Sequence, residues 1–232
     1  MNARESNILH RAINPHLLKA VADVDGFLAG GAVRSVFTSE PIKDFDFFFP
    51  SRTAFDTCLE ELRINDKSPT FSTTDTAWTH VDDDGDCYQF ICASFGTPES
   101  VIRRFDFTCC MGAWNPKSEE FLLDPLFLKH CSQRRLIFNV ATEYPICSLW
   151  RAFKFVKRGW KLPATEAIKM ALRIHDLNIS DRAELKRQLL GIDTLFLKEL
   201  TDALAEGGEL KYDFLEAIKM VGDLADQKEV QS

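Results

Sequence analysis

The sequence predicts an α+β protein, with a head in which short strands and helices mix and a small all-helical domain behind it. Three observations carry this reading. Strand-like apolar runs alternate with helix-period segments over the first part of the chain. From Tyr144 onward every periodic segment has the helical repeat. The 232 residues are 45% hydrophobic and include nineteen phenylalanines, enough for one sizeable core with a smaller domain beside it. The boundary is expected near 140–145, which gives residues 1–143 to the head and 144–232 to the helical domain.

The elements follow in order. Ile8, Ala12, Leu17, Leu18 and Val21 mark a helix over 7–23, with Pro15 near its start or at a kink. "GFLAG" (26–30) is a short buried strand, and Ala32–Phe37 is a helix that opens straight after Gly30–Gly31. "KDFDFFF" (43–49) is a strand, and Ser51 caps a helix running to about Ile64. Residues 76–95 carry strand-like runs on both sides of a D-G turn and form a hairpin. Thr97-Pro98-Glu99 starts a helix. "RFDFTCCM" (104–111) reads as another strand, and "AWNPKSEEFLLD" (113–124) folds back through an N-P turn. Helices are expected at 146–159, 164–175, 181–190, 193–206 and 210–225.

Composition limits the function. No uninterrupted apolar run approaches the roughly 20 residues that cross a bilayer, and the start of the chain has no signal-peptide pattern, so a soluble, cytoplasmic protein is expected. The net charge of −7 argues against nucleic-acid binding over the whole surface while leaving room for a local basic patch. The seven cysteines are odd in number and contain no C-x-x-C pair, which favours buried reduced thiols over a disulfide framework or a zinc site. "VDDDGD" (81–86) lacks the spacing of a calcium loop and reads as an exposed hairpin turn.

Two segments bear chemistry. Residues two apart on a strand share a face, so Asp44 and Asp46 point one way and Phe45, Phe47 and Phe49 the other. Adjacent carboxylates on a half-buried surface repel and lose hydration, and a divalent cation relieves both penalties. Magnesium takes one or two carboxylates together with phosphate oxygens and water. The plainer alternative is a solvated strand end, with the pair held by Lys43 or Arg34. Gly30–Gly31 permits close approach of a ligand to the backbone, and the helix behind it offers free N–H groups for phosphate, with Arg34 or Ser35 assisting. Asp106 repeats the pattern of an acid among aromatics; its alternative is an ion pair with Arg103 or Arg104. The second segment is basic. Leu149, Ala152, Phe153 and Val156 make one face of a helix, while Arg151, Lys154 and Arg158 make the other. Lys157 and Lys161 flank it, and Arg134–Arg135 lie upstream. This patch suits the phosphates of a nucleotide or an RNA end; a solvated amphipathic face explains it equally well. The four tryptophans are core candidates, and Trp160 could also stack on a base.

The order G-G-x-V-R, then D-x-D, then R-R-x-D-F-T resembles the head of the DNA polymerase β-like nucleotidyltransferases. Within them it is similar to the bacterial-type tRNA CCA-adding enzymes and poly(A) polymerases. "FLLDPLFLKHCSQRRLIF" (121–138) and "SLWRAFKFVKRGWKLP" (148–163) extend the similarity, which covers roughly residues 20 to 163.

The resemblance implies a nucleotidyltransferase-type mixed sheet with flanking helices. It implies that Asp44, Asp46 and Asp106 hold two Mg²⁺ ions and that Gly30, Gly31 and Arg34 hold the triphosphate of an NTP, with ATP the default. Arg151 and Arg158 match arginines that bind nucleotide or RNA. The implied reaction transfers a nucleoside monophosphate to an acceptor hydroxyl, with an RNA 3′ end as acceptor contacted by Arg134, Arg135, Lys154, Lys157 and Lys161. Ser35 stands where the family has an aspartate, Phe105 is an extra residue, and the base-reading E-D-x-x-R is missing. These departures predict a reduced enzyme with a different acceptor or nucleotide choice. The alternatives are modification of a protein or small molecule, or a nucleotide- or RNA-binding homologue without transfer.

Overall fold

The structure is a computed structural model that describes residues 3–65, 71–74, 76–189 and 192. The expected helices at 193–206 and 210–225 lie outside the described residues. The chain divides into two compact units, Met1–Ala141 and Thr142–Ser232.

The first unit is built on a seven-stranded mixed sheet. Its elements are α1 (Ala3–Ala12), α2 (Pro15–Asp23), β1 (Phe27–Ala29), α3 (Gly31–Thr38), β2 (Asp44–Phe49) and α4 (Arg52–Asn65), followed by β3 (Phe71–Thr73), β4 (Ala77–Val81), β5 (Cys87–Phe95) and α5 (Pro98–Ile102), then β6 (Gly112–Asn115), β7 (Glu120–Leu123) and α6 (Phe127–Ser132). The strand order is β3-β4-β5-β2-β1-β6-β7, with β2 and β5 parallel and the other neighbours antiparallel.

The two faces of the sheet follow the alternation in β2. Phe45 and Phe47 are buried on one face, where they meet Tyr88 and Phe90 at ring distances of 5.2 and 5.6 Å. Asp44, Asp46 and Phe48 point to the other face, and Phe48 stacks on Phe27 at 5.9 Å. Phe27, Ala29, Phe48, Val101, Ile102, Met111 and Ala113 form a core on that side, with Phe105 packed against it. One end of this face is therefore apolar and covered, while the other carries the two carboxylates.

Three expectations need correction. The helix expected over 7–23 is two helices. Pro15 cannot supply the N–H that a continuous helix needs, and Asn14 caps α2 instead, its Oδ1 accepting from the His16 N–H at 2.9 Å. The strand expected over 104–111 is not one. The amides of Arg104 and Phe105 bond back to Val101 and Ile102, and Cys110 and Met111 bond to Phe107 and Thr108, closing a 3-10 turn at Thr108–Cys110. Only Phe107 makes a bridge, to Phe138. Alternation of Phe and Asp imitated a strand where local hydrogen bonds took the backbone. The helical unit also departs from expectation.

That unit contains α7 (Pro145–Lys157), α8 (Ala164–His175) and α9 (Arg182–Leu189). Pro145, Ser148, Ala152 and Phe155 form the buried face of α7, whereas Phe153 is 55% and Val156 44% exposed. The expected apolar face was thus rotated, and Ala152 alone belongs to both. The buried Gln188 amide donates to Glu143 O at 2.6 Å and accepts from Ile146 N–H at 3.4 Å, tying α9 to the start of α7. Trp160 is 2% exposed and packs edge-on against Phe155 at 5.3 Å, so it is a core residue and presents no face for a base.

Candidate active site

The site is assembled where β1 turns into α3 beside β2. Gly30 has φ +82° and ψ −120°, a conformation closed to residues with a β-carbon, and it serves as the N-cap of α3 without a side-chain cap. Its N–H donates to Gly112 O at 2.9 Å, which fixes the turn to β6. A β-carbon on Gly31 would lie 3.7 Å from Asp44 Oδ1. The first turn of α3 and the first carboxylate of β2 are therefore neighbours, and the positive end of the helix faces an acid.

Asp44 and Asp46 are both half-buried. In the parallel β2–β5 pairing, Cys87 is in register with Asp44, and Gln89 with Asp46. Gln89 is in turn in register with Thr79 on β4. In-register residues share a face, so Cys87, Gln89 and Thr79 extend the polar surface sideways from the acids. Burial, and then the charges of Asp44 and Asp46, push the Cys87 thiol above its ordinary pKa. The sequence reading missed Cys87 and Gln89. Their half-exposed alternation with buried Tyr88 and Phe90 was the available signal, but their place beside the acids depends on strand pairing.

Asp106 lies in the turn that follows α5 and is 4% exposed. Its neighbour Phe105 covers the diglycine: a β-carbon on Gly30 would stand 3.4 Å from the Phe105 ring, which also lies 5.7 Å from Phe48. Among the described residues, no three His, Cys, Asp or Glu side chains are gathered as a group able to hold a metal ion. Two carboxylates on one face fit Mg²⁺, which takes its remaining ligands from phosphate and water.

The other expected nucleotide ligands have structural surroundings. Arg34 is 6% exposed; its Nη1 donates to Cys110 Sγ at 3.6 Å and its Nε lies 3.7 Å from Glu40 Oε2. Arg134 approaches Glu40 Oε1 at 3.3 Å, so one carboxylate joins α3 to the segment after α6. Ser35 Oγ donates to Pro41 O at 3.4 Å, and Glu40 N–H donates to Ser35 O at 3.1 Å. Ser35 therefore holds the loop that leads into Asp44. It also lines a cleft of about 540 Å³ with Ile8, Phe37 and Ile42, toward the end of α3 opposite the diglycine.

Arg135 is exposed in the first unit. In the second, Lys154, Lys157, Arg158 and Lys161 are exposed and Arg151 is half-buried. The Lys154 ammonium sits 3.4 Å from the centre of the Trp150 ring, and the Arg158 guanidinium lies 4.6 Å from that of Phe155. Arg158 Nε also donates to Lys154 O at 3.3 Å.

Comparison with known proteins agrees with the fold. The chain is similar to the CCA-adding enzyme in its apo form I (TM-score 0.58, 16% identity, 79% of this chain and 49% of that one). The complex of a CCA-adding enzyme with ATP gives a TM-score of 0.59 at 17% identity, covering 79% and 49% of the two chains. The Thermotoga maritima CCA-adding enzyme complexed with tRNA gives 0.55 at 18% identity, covering 79% and 50%. The nucleotidyltransferase-like fold expected from the motifs is thereby established. Residues 3–134 match the family described as Gabija anti-defense 2 family protein. The Gabija anti-defense 2 protein of Bacillus phage SPbetaL7 is 34% identical over 216 residues, which is 87% of this chain and 54% of that protein. The chain spans about half the length of the relatives it matches.

Proposed function

We propose a metal-dependent nucleotidyltransferase, on the premise that the chain belongs to the Gabija anti-defense 2 family. The single observation that carries the proposal is the apposition of Asp44 with the opening of α3, in a fold shared with enzymes whose structures contain ATP or CTP. Gly30 and Gly31 let the triphosphate approach the backbone, and the first N–H groups of α3 donate to its oxygens. Asp44 and Asp46, with the buried Asp106, would hold the two Mg²⁺ ions that accompany the nucleotide, which would neutralise charge on the departing pyrophosphate and acidify the acceptor hydroxyl. The acceptor oxygen bonds to the α-phosphorus of ATP as the bond from that phosphorus to the pyrophosphate oxygen breaks; the hydroxyl proton leaves to water.

An RNA 3′ end is the acceptor that the exposed cations of α7 and its flanks support. A second reading takes a protein hydroxyl of the defence machinery that the relative's name points to, and the net charge of −7 favours it. Incubation with each α-labelled NTP, magnesium and host lysate tests both. Label lost to ribonuclease identifies RNA, and label lost to protease identifies protein. Nucleotide binding with no label in either fraction would leave a binding homologue without transfer.

A further inference from the structure

We infer that Asn139 is a positioning residue for Asp106, an assignment that rests on the transferase reading above. Its side-chain amide and its backbone N–H are all engaged. Its Nδ2 donates to Arg103 O at 2.7 Å and to Phe105 O at 2.8 Å, and its backbone N–H donates to Asp106 O at 2.8 Å. Its Oδ1 accepts from Ala141 N–H at 3.1 Å. Three hydrogen bonds, to the carbonyls of Arg103, Phe105 and Asp106, therefore clamp the 103–106 turn from a residue more than thirty positions away in the chain.

The clamp matters because this turn has no ladder to hold it. It follows the last bonds of α5 and precedes the isolated Phe107–Phe138 bridge and the Thr108 N–H bond to Ile137 O at 3.1 Å. Asn139 ends the same short run, 137–139, so backbone and side chain act together on it. Within the turn, Phe105 lies over Gly30 and Asp106 is buried. Asn139 thus holds the backbone that carries both the cover of the diglycine and the buried acid. Its primary amide is the chemistry required: two N–H donors for two carbonyls and one acceptor for an amide. An aspartate of the same shape keeps the acceptor, loses both donors, and places negative charge against two carbonyl oxygens.

The test compares wild type, Asn139→Asp, Asp106→Asn and the double variant. Expected for Asn139→Asp is a turnover lowered about 30-fold with the KM for ATP changed less than about two-fold, since the nucleotide's own contacts remain. In the Asp106→Asn background the same change should add less than about two-fold, because both act through one carboxylate. Multiplying losses, or wild-type turnover in Asn139→Asp, would overturn the assignment. An arm independent of activity is trypsin cleavage after Arg103, whose carbonyl Asn139 holds. Nicking should quicken several-fold in Asn139→Asp at a temperature well below unfolding, and an unchanged rate would also overturn the clamp. If the wild type transfers no nucleotide while the nicking difference is present, the transferase reading fails and the clamp stands.

Discussion

Asp44 Oδ1 lies 3.7 Å from the point where a β-carbon on Gly31 would stand, so the glycine leaves one side of the carboxylate open. Gly31 is the first residue of α3, where alanine is tolerated and favoured over glycine. Gly31→Ala is expected to stabilise the protein by up to about 1 kcal/mol while cutting nucleotide transfer at least ten-fold. Parallel thermal melts and transfer assays separate the two effects. Gly30→Ala should behave oppositely, costing about 1–3 kcal/mol because of its backbone conformation.

Asp44→Asn and Asp46→Asn should each lower transfer by about 10³-fold, the equivalent of losing several kcal/mol of charge stabilisation. Both should melt at or above the wild-type temperature, because a like-charge contact on one strand face is relieved. Full transfer in either variant would refute the role assigned to the pair.

Cys87 offers a chemical report on the same face. It is half-buried and in register with Asp44. ATP with magnesium should slow its alkylation by iodoacetamide several-fold, as read by peptide mapping. Equal rates with and without nucleotide would contradict placing the triphosphate beside β2.

Glu40 should matter more for folding than its loop position suggests. Glu40→Gln takes the carboxylate from the buried Arg34 and is expected to cost about 1–3 kcal/mol in denaturant unfolding. Arg134→Ala removes the more exposed partner and should cost under about 1 kcal/mol. Equal costs would mean that Arg134, and not Arg34, dominates the link.

Stability should fall in alkali. Burial pushes the thiols of Cys58 and Cys131 up to about 12, and burial likewise raises the Tyr88 hydroxyl to about 12. These groups stay protonated in the folded protein at a pH where the unfolded chain has begun to lose their protons. Their contribution is whole below about pH 8 and is lost progressively between about pH 9 and 12. Urea midpoints measured across that range should decline, and Cys58→Ala should decline less steeply.

The sequence by itself determined the local parts of the site: the alternation that turns Asp44 and Asp46 away from Phe45 and Phe47, and the diglycine that opens α3. These follow from the two-residue period of a strand and from the few conformations a backbone can take. It also supplied the order of motifs that identified the fold. Only the tertiary structure decided what surrounds them. Cys87 and Gln89 reach the acids through a parallel pairing between β2 and β5. Arg34 turns inward toward Cys110 and Glu40, and Asn139 holds the turn of Asp106 from far along the chain. Such neighbours are chosen by long-range strand pairing and core packing, and no local period in the sequence encodes them. The 104–111 segment marks the limit, since its alternating Phe and Asp matched a strand while the hydrogen bonds of its own turns claimed the backbone first.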